Sequence, residues 1–315
     1  MESLDNQIVV SIQCLTYNHA PYIRQCLDGF VMQKTNFRFE AIVHDDASTD
    51  ETAAIIQEYA EKYPDIIKPI FEKENQYSKG IPGYITNLVS SKCKGKYIAI
   101  CEGDDYWTDP YKLQKQVDYL ETHPECGLVH TRHEKYIERT GEFKPGWAEE
   151  TDFEKNLIRN RICTLTTCFR KNLWESYNKE DFHKYYWPMG DAPLWLYIMS
   201  LSESKLLDDV TGVYRERLES ASHSAKLEKN LSFLKGGYEM KKFFIKKYNK
   251  ESFQKSNALY MVKELKRLSY LYDKNIDFAL TPFFIENRLW NLRLYLSSLS
   301  IKSKLVRHML KLLKS

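Results

Sequence analysis

Short apolar runs alternate with helical stripes through the first hundred residues. Ile8-Val9-Val10-Ser11-Ile12 reads as a strand. Pro21 then stands where a first helical turn would begin, and Ile23, Leu27, Phe30 and Val31 recur at helical spacing. Ala41-Ile42-Val43 is the next strand. A helix follows from near Glu51, capped by Asp50 or Ser48, with Ala54, Ile55 and Tyr59 expected to face inward. Residues 66–70 and 97–101 give a third and a fourth strand. Asp109-Pro110 opens another helix, whose inner stripe is Leu113, Val117 and Leu120 and which Pro124 stops.

Beyond residue 126 the pattern is mixed. Strands are expected at 127–130, 163–169 and 211–215, with a helix over 193–201 entered from Gly190-Asp191. From about residue 225 the chain is helical and basic, without internal repeat or low-complexity segment. The expected division is a body of residues 1–224 and a helical region of residues 225–315. Strands alternating with helices specify an α/β fold, a mostly parallel sheet with helices on both faces. Ligands of such sheets bind beyond the carboxyl ends of the strands. Three polar clusters fall there: residues 15–19, 44–50 and 102–105.

Composition changes this picture little, and charge more. With 315 residues, 43% of them hydrophobic and 28% charged, the chain has an ordinary globular balance. The net charge of +3 hides an asymmetry: residues 225–315 carry 20 Lys and Arg against 7 Asp and Glu, and the preceding 224 carry 26 against 36. An acidic body argues against a nucleic-acid binder. The seven cysteines form no CxxC pair, so reduced, buried thiols and a cytoplasmic location are expected. The first residues lack a basic, signal-like segment, and no apolar run reaches the ~18–20 residues that span a bilayer.

Glu102, Asp104 and Asp105 lie within four residues of one another after an apolar strand. Carboxylates so close repel one another unless a cation sits among them, and Mg²⁺ or Mn²⁺ with oxygen ligands is one answer. A solvated acidic turn with a helix cap is the other. Asp46, after the second strand, could accept hydrogen bonds from a ribose hydroxyl or a base imide, or anchor the helix that follows. Neither GxGxxG nor GxxxxGK[ST] occurs, so a glycine-rich phosphate cradle is not expected. A metal held by acids would neutralise a diphosphate instead.

The segments TYNHAPYI at 16–23, HDDASTDET at 44–52, EGDDYWTDPYKLQKQ at 102–116, GDAPLW at 190–195 and VYRERLESASHS at 213–224 together resemble a family 2 glycosyltransferase of the GT-A fold. The match runs over about residues 8–224. It implies a Rossmann-like sheet and an inverting transfer from a nucleotide-activated sugar, UDP-sugars first, with a divalent metal. By the same resemblance Tyr17 would stack on the nucleobase and Asp46 would hydrogen-bond it. Lys79 is a nucleotide contact, Asp104 meets the ribose or metal, and Asp105 is the metal ligand on the diphosphate. Asp191 aligns with the general base, and a late histidine, His223, would complete the metal shell. Glu102 departs from the Asp common at its position. Arg215 and Arg217 are candidates for the diphosphate, and Tyr214 and Trp195 for the acceptor.

The assignment to Asp191 makes chemical sense. A one-step displacement needs the acceptor hydroxyl deprotonated as it attacks, and a metal on the leaving diphosphate removes the need for a general acid. The competing use of Asp191 is a helix cap ahead of Pro193. The expected partners are a nucleotide-sugar donor and a saccharide or lipid-linked acceptor, in cell-surface polysaccharide or lipopolysaccharide assembly. In the tail, Leu305, Val306, Met309, Leu310, Leu312 and Leu313 alternate with Lys304, Arg307, Lys311 and Lys314. Such a helix either lies peripherally on the anionic inner face of the plasma membrane or packs in a bundle. Two other function classes compete: a non-catalytic sugar-nucleotide or glycan-binding module on a degenerate scaffold, and a nucleotidyltransferase. The second usually carries a glycine-rich basic loop that TYNHAP does not supply.

Overall fold

The computed structural model describes residues 7–81, 83–185, 187–217, 226–289 and 291–312. The chain forms two compact units. One comprises Met1–Phe153, Arg161–Tyr186 and Leu194–Arg217; the other comprises Glu154–Asn160, Trp187–Pro193 and Leu218–Ser315. Two short stretches of the body therefore group with the tail, so the division is not one cut near residue 224.

The first unit runs β1 (Ile8–Thr16), α1 (Ala20–Val31), β2 (Arg38–Asp45), α2 (Thr52–Lys62), β3 (Ile67–Phe71), α3 (Tyr84–Lys92), β4 (Tyr97–Ile100), β5 (Tyr106–Trp107), α4 (Lys112–Thr122), β6 (Cys126–Ile137) and β7 (Glu142–Pro145). After α5 (Phe153–Ile158), most of which belongs to the second unit, come β8 (Cys168–Arg170), α6 (Lys171–Lys179), α7 (Asp191–Leu201), whose first three residues also belong to the second unit, and β9 (Glu203–Glu216). The strands form one sheet in the order β3-β2-β1-β4-β8-β6-β9-β5, with β7 on β6. The half β3-β2-β1-β4 is parallel. Beyond it β8 runs antiparallel to β4 and β6, β9 is parallel to β6, and β5 is antiparallel to β9. The sheet is thus mixed, because β8 enters next to β4 in the reverse direction.

Strand order places the ligand edge. From β1 the chain moves outward to β2 and β3, then returns to place β4 on the other side of β1. The connections after β1 and β4 leave in opposite directions, which opens a crevice at their carboxyl ends. The ladder continues past the strands into both turns, with Cys101 N–H donating to Gln13 O and Gly103 N–H to Leu15 O, each at 3.0 Å.

Period-two alternation in β1 sorts its residues to two faces. Val10, Ile12 and Cys14 join Ile23, Cys26, Leu27 and Phe30 of α1, Ile56 and Tyr59 of α2, and Leu113, Val117 and Leu120 of α4 in one core. On the other face Ile42 packs with Val89 and Cys93 at the end of α3, and Gln13 Nε2 donates to Ser90 Oγ at 2.8 Å. Helices therefore cover both faces. Gly95 sits where an added Cβ would lie 2.5 Å from the Ser11 amide nitrogen, so only glycine lets the chain pass so close to β1. All seven cysteines are free and buried.

Two local expectations change. Ala54 is exposed and Ile56 is the inward residue of α2, because the helix starts at Thr52 and turns positions 52, 56 and 59 inward. Of the strand expected over 163–169, only Cys168 and Phe169 pair, at the start of β8. Thr164–Thr166 is a 3₁₀ turn. Its threonines are the reason: Thr166 Oγ1 donates to Cys163 O at 2.7 Å and Thr167 Oγ1 to Thr164 O at 2.8 Å, and such local bonds compete with a ladder.

The second unit holds α8 (Leu227–Lys247), α9 (Gln254–Leu271), α10 (Leu280–Glu286), α11 (Leu292–Ser298) and α12 (Lys304–Leu312). It has its own core, including Leu227, Met261, Leu265, Phe283, Phe284 and Ile301. Among the described residues no helix is long and apolar enough to cross a membrane.

His130 and His133 on β6 are buried, and neither ring has a hydrogen-bond partner among the described residues. Burial pushes His130 down to about 3 and His133 down to about 4. Both are neutral when folded, while an unfolded histidine takes its proton near pH 6.5. Their contribution to stability is complete above that value and is lost as pH falls from about 6.5 toward 4. At about pH 5 the loss is at most roughly 2 kcal/mol per histidine. Urea denaturation at about pH 7.5 and about pH 5 should show a clear fall for the wild type and a smaller fall for His130→Leu.

Candidate active site

The turn after β1 is stitched to the turn after β2. Asn18 takes a left-handed backbone (φ 53°) that asparagine tolerates, and its Oδ1 accepts the Thr49 amide at 2.8 Å. In return Asn18 N–H donates to Ser48 Oγ at 2.8 Å, His19 N–H to Thr52 Oγ1 at 2.8 Å and Ala20 N–H to Asp50 Oδ2 at 3.1 Å. Asp50 Oδ1 also accepts the Thr52 amide at the start of α2, but the N-cap position is held by Glu51 and no side chain caps the helix, so neither Asp50 nor Ser48 is the expected cap. This lattice leaves the Tyr17 ring at the rim, 45% exposed.

Asp46 is buried, and it is not a free carboxylate. Its Oδ1 accepts the Gln76 amide at 2.7 Å and its Oδ2 the Tyr77 amide at 3.0 Å, while Asn75 Nδ2 donates to its carbonyl at 3.2 Å. Asp46 N–H itself donates to Thr16 O at 3.0 Å. One residue therefore ties the end of β1 to the loop that carries Lys79. The Lys79 ammonium is partly exposed and lies 3.0 Å from Glu74 Oε2.

The third cluster follows β4. An added Cβ at Gly103 would lie 2.4 Å from Thr16 Cγ2 and 3.0 Å from His19 Nδ1, so glycine is what lets the acidic turn lie against the β1 turn. The last residues of β9 close over this turn. Arg215 N–H donates to Asp105 Oδ1 at 2.7 Å, and Arg215 Nε to Asp104 O at 2.8 Å. Arg217 Nη1 pairs with Asp104 Oδ2 at 3.0 Å, and His19 Nε2 stands 3.8 Å from the same oxygen. Burial, reinforced by the like charges of Asp104 and Glu102, pushes the Asp105 carboxyl well above the usual carboxylate range. The Arg215 amide and charge pull the other way. Burial also lowers His19, against the opposing pull of Asp104. Glu102 is exposed, and the part of it that anchors the turn is its carbonyl, which accepts the Asp105 amide.

Three aromatic rings seat the two arginines. Arg215 Cζ lies 5.0 Å from the Tyr22 ring, 5.1 Å from Tyr106 and 5.7 Å from Tyr136; Arg217 Cζ lies 4.9 Å from Tyr22. Tyr22 is fixed in turn by a 2.6 Å hydrogen bond to Glu138 Oε1. Sequence reasoning missed these tyrosines. Tyr22 stands inside the first motif and Tyr106 directly after Asp105, so their adjacency was a usable signal. Tyr136 carries no such signal.

The structure brings Tyr17, Asp46, Asp104 and Asp105 to one strand-end edge with Arg215 and Arg217. Asp191 opens α7, where its Oδ1 accepts the Ala192 amide at 2.7 Å, and it belongs to a segment of the second unit. His223 lies outside the described residues. Trp195 is not a lining residue: it is fully buried, edge-on to Phe169 at 5.6 Å. The Tyr214 ring packs on Trp147 at 5.1 Å.

No group of three or more His, Cys, Asp or Glu among the described residues is placed to hold a metal. Asp104 and Asp105 supply hard oxygen donors, which suit Mg²⁺ or Mn²⁺ when substrate phosphates complete the shell. The guanidinium already on Asp104 marks the place as one that accepts positive charge.

Residues 11–182 match the family Glycosyl transferase family 2. The Mycobacterium tuberculosis protein Rv1520 is 38% identical over 224 residues, which covers 69% of this chain and 61% of its own length. The chain thus spans about three fifths of that relative. The Escherichia coli protein WfaP, named as a UDP-Glc:alpha-D-GlcNAc-diphosphoundecaprenol beta-1,3-glucosyltransferase, is 34% identical over 114 residues, 36% of this chain and 42% of that protein. Among solved structures, S. aureus TarS 1-349 in complex with UDP-GlcNAc superposes with a TM-score of 0.58 at 16% identity, over 92% of this chain and 81% of that one. The mannosyltransferase PcManGT of Pyrobaculum calidifontis, in complex with GDP-Man and Mn2+, gives 0.53 at 17% identity, over 98% and 80%.

Asp46→Ala should release the Gln76 and Tyr77 amides. Hydrogen–deuterium exchange across residues 75–79 is expected to rise at least about tenfold, since each charge-assisted bond is worth roughly 1.5–3 kcal/mol. Unchanged exchange there would show that the loop holds itself.

Proposed function

Since the chain belongs to glycosyl transferase family 2, we propose that it moves a sugar from a nucleotide-diphosphate donor, UDP-sugar first, to a hydroxyl of a saccharide or lipid-linked acceptor. The observation that carries this reading is the meeting of the Asp104-Asp105 turn with the Tyr17 and Asp46 turns at one strand-end crevice.

In this reading Tyr17 offers its exposed ring to the nucleobase. Asp46 holds the 75–77 loop with two amides and keeps lone pairs for the base, and Lys79 reaches the nucleotide from that loop. Asp104 and Asp105 would hold Mn²⁺ or Mg²⁺, and His223 is the candidate third ligand. When bound, the metal supplies positive charge that stabilises the leaving diphosphate. Asp191 takes the proton from the acceptor hydroxyl as it attacks, which inverts the anomeric centre in one displacement. Assembly of cell-envelope polysaccharide is the proposed context, in keeping with the names of WfaP and of the Bacillus subtilis protein TuaG, named as a putative teichuronic acid biosynthesis glycosyltransferase.

A peripheral contact with an anionic membrane belongs to the same proposal. Arg307 of α12 is turned inward, with Nη1 donating to Ser300 O at 2.7 Å, while Leu305 and Met309 are 70% and 53% exposed beside Lys304, which is exposed and pairs with Asp273. An outward face of this kind, on a region with a net +13, suits an anionic leaflet.

Calorimetric titration of UDP, GDP and dTDP with and without Mn²⁺ should show metal-dependent binding of one nucleotide, lost in Asp105→Ala. Equal binding with and without metal would contradict the metal assignment. With the cognate donor, Asp191→Asn should leave nucleotide binding intact and lower nucleotide release by about 10²–10⁴-fold. Binding without turnover in the wild type would favour a non-catalytic module.

A further inference from the structure

The two arginines over the acidic turn are held differently. Arg215 is tied through its backbone amide to Asp105, through Nε to the Asp104 carbonyl and through Nη2 to Gln25 Oε1 at 2.8 Å, with three tyrosine rings around its guanidinium. Among the described residues Arg217 has one ion pair, Nη1 to Asp104 Oδ2 at 3.0 Å, and one ring, Tyr22 at 4.9 Å. Its side chain remains a quarter exposed. Arg215 is thus a fixed part of the turn, and Arg217 can leave it.

A divalent ion on Asp104 would stand within a few ångströms of the Arg217 guanidinium, and like charges so close repel one another. The pair and the ion therefore compete for one carboxylate. A guanidinium driven off Asp104 needs another anion, and its planar fork matches phosphate oxygens.

We propose that Arg217 is a resident counter-cation of Asp104, which a divalent metal displaces and which then passes to the donor diphosphate. This rests on the donor-site reading above and adds a consequence to it. Metal and nucleotide binding are positively coupled through one side chain, so each tightens the other by the same factor. Free protein binds metal weakly, and metal is recruited together with the donor.

The test is a titration of the full chain with Mn²⁺ alone, followed by the electron paramagnetic resonance signal of free Mn²⁺, for wild type, Arg217→Met and Arg217→Lys. Arg217→Met should bind Mn²⁺ about tenfold more tightly than wild type, the worth of one charge-assisted pair. Arg217→Lys, which keeps a cation, should stay near wild type. The same titration with saturating UDP or GDP should show tightening in the wild type and much less in Arg217→Met. Equal Mn²⁺ affinity in wild type and Arg217→Met without nucleotide, or no binding by either, overturns the proposal. Failure of the donor reading appears separately, as no binding of any nucleotide, while the Mn²⁺-only arm still decides the role of Arg217. Circular dichroism melts of each variant confirm that the fold is kept.

Discussion

Asp105 carries a buried carboxyl group beneath the closing end of β9. A charge in such a place must be met by a fixed donor or a cation, or it is lost to protonation. The Arg215 amide supplies one fixed donor, and the arginine side chain binds the neighbouring carbonyl. The requirement reaches far along the chain. It demands that β9 end at this point, that β5 pair with it through Tyr106↔Val213, and that Tyr22, Tyr106 and Tyr136 surround the guanidinium. The long strand β9 and the short acidic turn are therefore parts of one electrostatic unit.

The parallel half of the sheet serves that unit by position. β1 lies between β2 and β4, so the turns that follow these three strands share one edge. Glycine at 95 lets the β4 approach pass close to β1, and glycine at 103 lets the acidic turn rest on Thr16 and His19. Side-chain hydrogen bonds from Asn18, Ser48, Asp50 and Thr52 then fasten the first two turns together. A nucleotide laid on this edge would meet an aromatic rim at Tyr17 and an acidic floor at Asp104 and Asp105.

The sequence made the four strands and the first two helices of the first hundred residues legible, because period-two and period-3.6 patterns are both strong there; α3 (Tyr84–Lys92) was missed. Ile23, Leu27, Phe30, Leu113, Val117 and Leu120 face the core as their spacing requires. The pattern gave less where local bonds decide. Residues 163–169 read as a strand, yet the hydroxyls of Thr166 and Thr167 help fold the segment into a 3₁₀ turn. Strand direction was not readable either, since nothing in a short run such as Cys168-Phe169-Arg170 says that it enters antiparallel beside β4. At the site, the acids stood out by clustering, and their partners did not. The two amides on Asp46 come from a loop thirty residues away, and the arginines on Asp104 and Asp105 from more than a hundred. Such pairings are set by topology, which residue spacing does not encode.

The central claim is that the acidic turn after β4 receives the diphosphate through a metal. A crystal soaked with Mn²⁺ and the nucleotide diphosphate that binds would test it by anomalous diffraction at the manganese edge. The account predicts one strong peak within coordination distance of the Asp105 carboxylate and of both phosphates, with the base against Tyr17. A nucleotide bound at this edge with no peak beside Asp105, or a peak and nucleotide elsewhere on the chain, would contradict it.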